Sequence, residues 1–84
     1  MNEMNILREA LTAKGIDWHD KSDELFTRTH FIRPSDGVPC SVVYGRYSYG
    51  GSSGLLEAMP PVHDDVEDDV EGYLTAEDII AAWL

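Results

Sequence analysis

Between Asp64 and Glu71, six of eight residues are carboxylates: Asp64, Asp65, Glu67, Asp68, Asp69 and Glu71. Carboxylates this dense can hold a cation, pair with a basic protein surface, or keep a small chain in solution. Crowding like charges costs self-repulsion, which argues against a purely structural role. Along an extended segment the carboxylates recur every one or two residues, about 3.3–6.8 Å apart. Phosphates along one DNA strand recur on a similar scale, so the run can compete for a groove lined with arginine and lysine. Long-range attraction would also speed encounter. As a calcium loop the run fails: an EF-hand starting at Asp65 has Glu67 and Asp69 in place, but Val70 and Ala76 stand where Gly and Glu are needed. A loose divalent-cation module remains an alternative, without an assigned ligand set.

The second chemical feature is Tyr44-Gly45-Arg46-Tyr47-Ser48-Tyr49-Gly50-Gly51, which holds three of the four tyrosines. Alternating aromatics on a sheet can stack on bases, but Arg46 alone supplies positive charge here. The segment reads first as a sheet with one buried and one amphipathic face; the functional alternative is a protein-binding edge, with Tyr47 and Tyr49 as apolar anchors beside the acidic run. Gly45 to Gly50 has phosphate-loop spacing, yet Gly51-Ser52 follows where Lys-Ser/Thr is required.

Other reactive side chains form no constellation. His19, His30 and His63 fit no metal-binding spacing, and no Ser, His and Asp spacing selects a triad. Cys40, the one cysteine, lies between Pro39 and a β-branched run; it reads as a small core residue, with no local base to make a thiolate. After filling its core, a chain this short has little left to shape a deep pocket. The expectation is a protein that is not an enzyme and carries no cofactor and no metal.

The whole chain has 84 residues and a formal net charge of −10, of which the acidic run supplies −6 and the remainder −4. A pI near 4.3 argues against direct contact with nucleic acid or an anionic membrane and favours a basic partner. A hydrophobic content of 43% suffices for one core and is too high for a disordered acidic chain. A single cysteine excludes a disulfide framework. Met1 to Ala13 does not read as a signal peptide, and no stretch nears the roughly 18 apolar residues of a membrane span. The expected location is the cytoplasm.

The elements that must position these groups are read from periodicity. Met4, Leu7 and Leu11 recur at helical spacing, Asn2 suits the N-cap and Gly15 the C′ position, which predicts a helix over 3–14. Ile16 to His19 is a short edge-strand candidate. Leu25 to Ile32 alternates and is rich in β-branched and aromatic residues, so it predicts a strand. Cys40 to Tyr49 predicts a second, with Gly45 marking a bulge or a close backbone approach. Leu55 to Met59 predicts a third, after a Gly-rich turn. Pro60 and Pro61 end it and open an acidic surface loop over 60–72. Thr75 as N-cap, Asp78 at N3 and Leu74 facing Ile79 predict a capped, stapled C-terminal helix over 75–84. The result is one α+β domain over 1–84: a helix, a three- to four-stranded antiparallel sheet, and a helix.

Tyr44-Gly45-x-x-Ser48-Tyr49-Gly50-Gly51-x-x-Gly54-Leu55-Leu56-Glu57, followed by Glu71-Gly72-Tyr73-Leu74-Thr75-Ala76-Glu77-Asp78, resembles short acidic proteins encoded by phages and prophages of gut and soil bacteria. The likeness covers about the last half of the chain, and its motifs belong to folding rather than catalysis. Small acidic phage proteins as a class include inhibitors of host defence, among them anti-CRISPR proteins, some of which mimic DNA. The resemblance thus implies a non-enzymatic inhibitor in the bacterial host cell. It would occupy a basic nucleic-acid-binding surface of a CRISPR-Cas or other nucleic-acid-handling complex. It carries over no inhibitory residue. The partner-binding candidates read from the chain itself are the six carboxylates with Tyr47 and Tyr49. The alternative is a small structural or assembly protein, acting as a homodimer or through apolar contacts of a C-terminal helix that ends in Trp83 and Leu84.

Overall fold

A computed structural model of the chain describes residues 2–84; Met1 lies outside the described residues. Helix α1 spans Glu3–Ala13. Its N-cap is Asn2, whose side-chain oxygen accepts from the Asn5 N–H at 2.8 Å, and it ends before Gly15 at φ +72°. Met4, Leu7 and Leu11 form its buried stripe. Helix α2 spans Ala76–Trp83. It opens with a full capping box: the Thr75 hydroxyl accepts from the Asp78 N–H, and the Asp78 carboxylate accepts from the Thr75 N–H.

Between the helices lie five strands, one more than the upper expectation: β1 Trp18–Asp20, β2 Phe26–Ile32, β3 Pro39–Gly45, β4 Leu56–Met59 and β5 Glu71–Leu74. They form one antiparallel sheet in the order β1-β2-β3-β4-β5. The added strand is β5. Its alternation is hidden because it is four residues long, begins inside the acidic run and contains Gly72 and a left-handed Tyr73 at φ +58°. The acidic loop therefore ends at residue 70, not 72.

The sheet has one covered face and one open face. Thr29, Phe31, Cys40, Val42, Leu56 and Ala58 point inward and are buried with Leu74 and the helix residues Ala76, Ile79 and Trp83. Phe31 meets Trp83 edge-on, ring centroids 6.0 Å apart. Among the described residues the one buried polar side chain, Thr29, accepts from Arg8 Nε at 2.7 Å and donates towards Met4 Sδ at 3.1 Å. That satisfied hydroxyl fixes α1 against β2 at a buried position where an unpaired polar group would be costly. On the opposite face, Arg28, His30, Ile32, Ser41, Val43, Glu57 and Met59 have no helix over them.

The register also defines two ends. Phe26 pairs with Gly45 and Leu56 with Leu74 at one end; Ile32 pairs with Pro39 and Ser41 with Met59 towards the other. At a rise near 3.3 Å per residue, the seven residues of β3 separate the ends by about 20 Å.

Candidate functional site

The acidic run leaves β4 at Met59 and re-enters the sheet at Glu71, directly beside Ala58. Asp64, Asp65, Glu67, Asp68 and Asp69 are all exposed. Among the described residues, none of these five makes an ion pair; the paired carboxylates are Asp20, Asp23, Asp36 and Glu71.

Glu71 departs from the expected set. It is a strand residue whose side chain is only 14% exposed. Its Oε1 accepts from the N–H groups of Val62 and His63, both at 2.9 Å, and its Oε2 lies 2.6 Å from His63 Nδ1. Burial pushes this carboxyl up, but the hydrogen bonds from His63 and Val62 and the His63 charge outweigh burial and hold it below its ordinary value. The same hydrogen bond, reinforced by the Glu71 charge, raises His63. Glu71 is thus a clasp that ties the two roots of the loop. Its partner is eight positions back in an irregular segment, so no helix or strand periodicity could have revealed the pair.

Tyr47 and Tyr49 are exposed, 71% and 63%, and stand on the turn after β3, which ends at Gly45, rather than within a strand running to Tyr49. They follow Gly45 and so sit at the Phe26–Gly45 end, whereas the loop departs from the Ile32–Pro39 end. In an antiparallel sheet the turn after β3 and the turn after β4 leave from opposite ends, but β4 is only four residues long and Tyr49 N–H donates to Glu57 Oε1 on it at 3.1 Å. The loop carrying Tyr47 and Tyr49 crosses the sheet end and meets β5 backbone to backbone, Tyr73 N–H donating to Tyr49 O at 3.2 Å. Glycines permit the contact. A Cβ on Gly72 would stand 2.2 Å from Tyr49 Cβ, and one on Gly51 only 1.7 Å from Gly45 O. Tyr73, 66% exposed, joins this aromatic end and was not among the residues picked from the chain. Gly45, read as a bulge or close approach, is the latter: a Cβ there would lie 2.5 Å from the Phe26 ring and 2.7 Å from Leu25 O.

The remaining reactive groups divide between the core and an open groove. Cys40 is buried and free, and burial pushes its thiol above its ordinary value. Arg33 makes a two-point contact with Asp36 and lies over the Trp83 ring at 5.4 Å. His19 and His30 are directly opposite each other on β1 and β2 and, with Asp17, Ile32 and Pro39, border an open groove of about 500 Å³. Among the described residues, no group of three or more His, Cys, Asp or Glu is arranged to hold a metal ion. Among the same residues, no helix is long and apolar enough to cross a membrane.

No protein family, no curated protein and no solved structure matches this chain.

Proposed function

We propose that the chain acts by stoichiometric protein binding, presenting Asp64, Asp65, Glu67, Asp68 and Asp69 to a basic groove. The supporting observation is that these five carboxylates are exposed, and unpaired among the described residues, on a loop whose roots Glu71 holds. A loop closed at its base loses less freedom on binding than an open chain, so more of the electrostatic attraction is realised as affinity. The sixth carboxylate, Glu71, positions the loop and is not part of the contact. The partner class that fits is a nucleic-acid-handling complex, since a groove built for phosphates is lined with arginine and lysine. Following the resemblance to small acidic phage proteins, an RNA-guided host-defence complex is the first partner to test.

The homodimer reading has less to draw on: Trp83, its main apolar residue, is 5% exposed and packed against Phe31.

The test is competition with target DNA for purified RNA-guided effector complexes, at several salt concentrations. The expected result is displacement of DNA that weakens steeply with salt. The variant with Asn at 64, 65, 68 and 69 should lose the displacement and flatten the salt dependence. Displacement that survives both the salt and the variant would overturn the electrostatic reading.

A further inference from the structure

We infer that strand β1 is an open edge through which two copies of this chain pair into one continuous sheet, with Trp18 opposite Asp20 of the second copy and Asp17 opposite its Lys21. The inference stands apart from the binding role proposed for the acidic loop.

The sheet has two edges, β1 and β5, and they differ. At β5 the Tyr73 N–H already donates to Tyr49 O. At the β1 side, Lys21 N–H donates to Arg28 O, so residues 21 and 28 are a hydrogen-bonded pair. Such pairs alternate along an antiparallel ladder, which makes His19 and His30 the next one. The N–H and C=O groups of Trp18 and Asp20 therefore point away from β2. Among the described residues no other backbone group takes them.

Backbone phase and charge together select the occupant. A second β1 laid antiparallel must match residues 18 and 20 with each other or with themselves, because only these carry outward-facing groups in the strand. Asp20 against Asp20 sets like charges opposite, which is unfavourable. Trp18 against Trp18 makes one bonded pair within the strand. Trp18 against Asp20 makes two, about a two-fold axis at His19. That last register also sets Asp17 opposite Lys21 on both sides of the axis. Both residues are exposed and outside every ion pair among the described residues. On the covered face it brings Asp20 of the second copy beside Trp18. Arg8 lies over that ring at 4.7 Å and reaches its own Asp20 at 3.4 Å. Charged residues on an edge ordinarily turn other strands away. Here they agree with a second copy in one register, and so choose it.

The acidic loop does not oppose this pairing. It joins β4 to β5, at the far side of the sheet from β1. Seven inter-strand spacings of about 4.8 Å would put β4 of the two copies about 34 Å apart, several times the Debye length of about 8 Å. The pair would carry one acidic loop on each outer flank. The contact runs only from Asp17 to Lys21, so it belongs with small, transient interfaces.

The experiment is sedimentation equilibrium from micromolar to millimolar protein, with backbone amide shifts followed over the same range. The parent should dimerise as concentration rises, with shifts centred on Trp18, His19 and Asp20. Lys21→Asp alone and Asp17→Lys alone should each weaken dimerisation about ten-fold, because each sets like charges opposite one another on both sides of the axis. The two substitutions in one chain should restore it. A mixture of the two single variants should form a heterodimer tighter than either homodimer. Both positions are exposed, and an unchanged amide spectrum away from β1 confirms that the variants fold. A parent that stays monomeric at millimolar concentration would overturn the inference. So would equal dissociation constants for the parent and all variants, or concentration-dependent shifts centred on Tyr47, Tyr49 and Tyr73, since either places the association elsewhere.

Discussion

His63 Nδ1 lies 2.6 Å from Glu71 Oε2, and the other oxygen of the same carboxylate takes the N–H groups of Val62 and His63. One side chain thereby closes the acidic loop at both roots. The pair has a pH signature with two limbs. His63 is raised in the folded state, so its contribution is fully present below the ordinary histidine value, about 6.5, and is lost as pH rises through the raised value. Glu71 is lowered, so its contribution is present above the ordinary carboxyl value, about 4.3, and is lost as pH falls through the lowered value. The clasp is strongest at mildly acidic pH, between those limits. NMR titration of the His63 ring should show a raised midpoint, and Glu71→Gln should return it towards the ordinary value. A midpoint unmoved by Glu71→Gln would mean that the surrounding carboxylates, not the clasp, set it.

Neutralising the loop should not harm the fold. Asp64, Asp65, Asp68 and Asp69 are exposed and outside every ion pair among the described residues. Surface changes of this kind shift stability by about 0.5 kcal/mol or less each, and here relief of self-repulsion sets the sign. The four-fold Asn variant should melt at or above the parent temperature at low salt, with the gap closing as salt is added. A lower melting temperature at low salt would reveal that the carboxylates make structural contacts.

The aromatic end depends on glycines that have no room for a side chain. Gly51→Ala would drive a methyl into Gly45 O, and Gly72→Ala one into Tyr49. Each should cost about 1–3 kcal/mol or more, the range for overpacking, because the obstructing atoms include backbone that cannot rotate away. Gly54 is a contrast: it has open space and φ +77°, so Gly54→Asn should be tolerated, Asn being comfortable in that region. Urea denaturation of the three variants separates the cases. Equal midpoints would contradict the backbone-to-backbone packing.

Tyr73 holds φ +58° while its ring is mostly in water. A left-handed non-glycine residue costs about 1–2 kcal/mol, and glycine returns about 0.5–1 kcal/mol of that as extra unfolded-state entropy. Tyr73→Gly should therefore stabilise the protein by about 0.5 kcal/mol or more. The strained tyrosine would then be kept for its exposed ring, not for the fold. A clear loss of stability would show instead that the ring packs on its neighbours.

Local chemistry by itself determined much of this protein. Met4, Leu7 and Leu11 with Asn2 and Gly15 specify α1, and Thr75, Asp78 and Ile79 specify α2, because caps and a 3.6-residue stripe act within one or two turns. The alternation in Leu25 to Ile32 and the burial of Cys40 were legible for the same reason. So was the concentration of charge in one segment. Tertiary structure decided the rest. It made β5 from residues with no alternation, since a strand on β4 needs only a partner's free N–H and C=O groups. It turned Glu71 from a docking carboxylate into a clasp, through hydrogen bonds to residues eight and nine positions away. It put Tyr47 and Tyr49 on the turn after β3 and made the acidic loop leave from the other end of β4, where Met59 pairs with Ser41. Strand register is set by pairing across the sheet, and no property of a single segment encodes which end of a neighbouring strand it will meet.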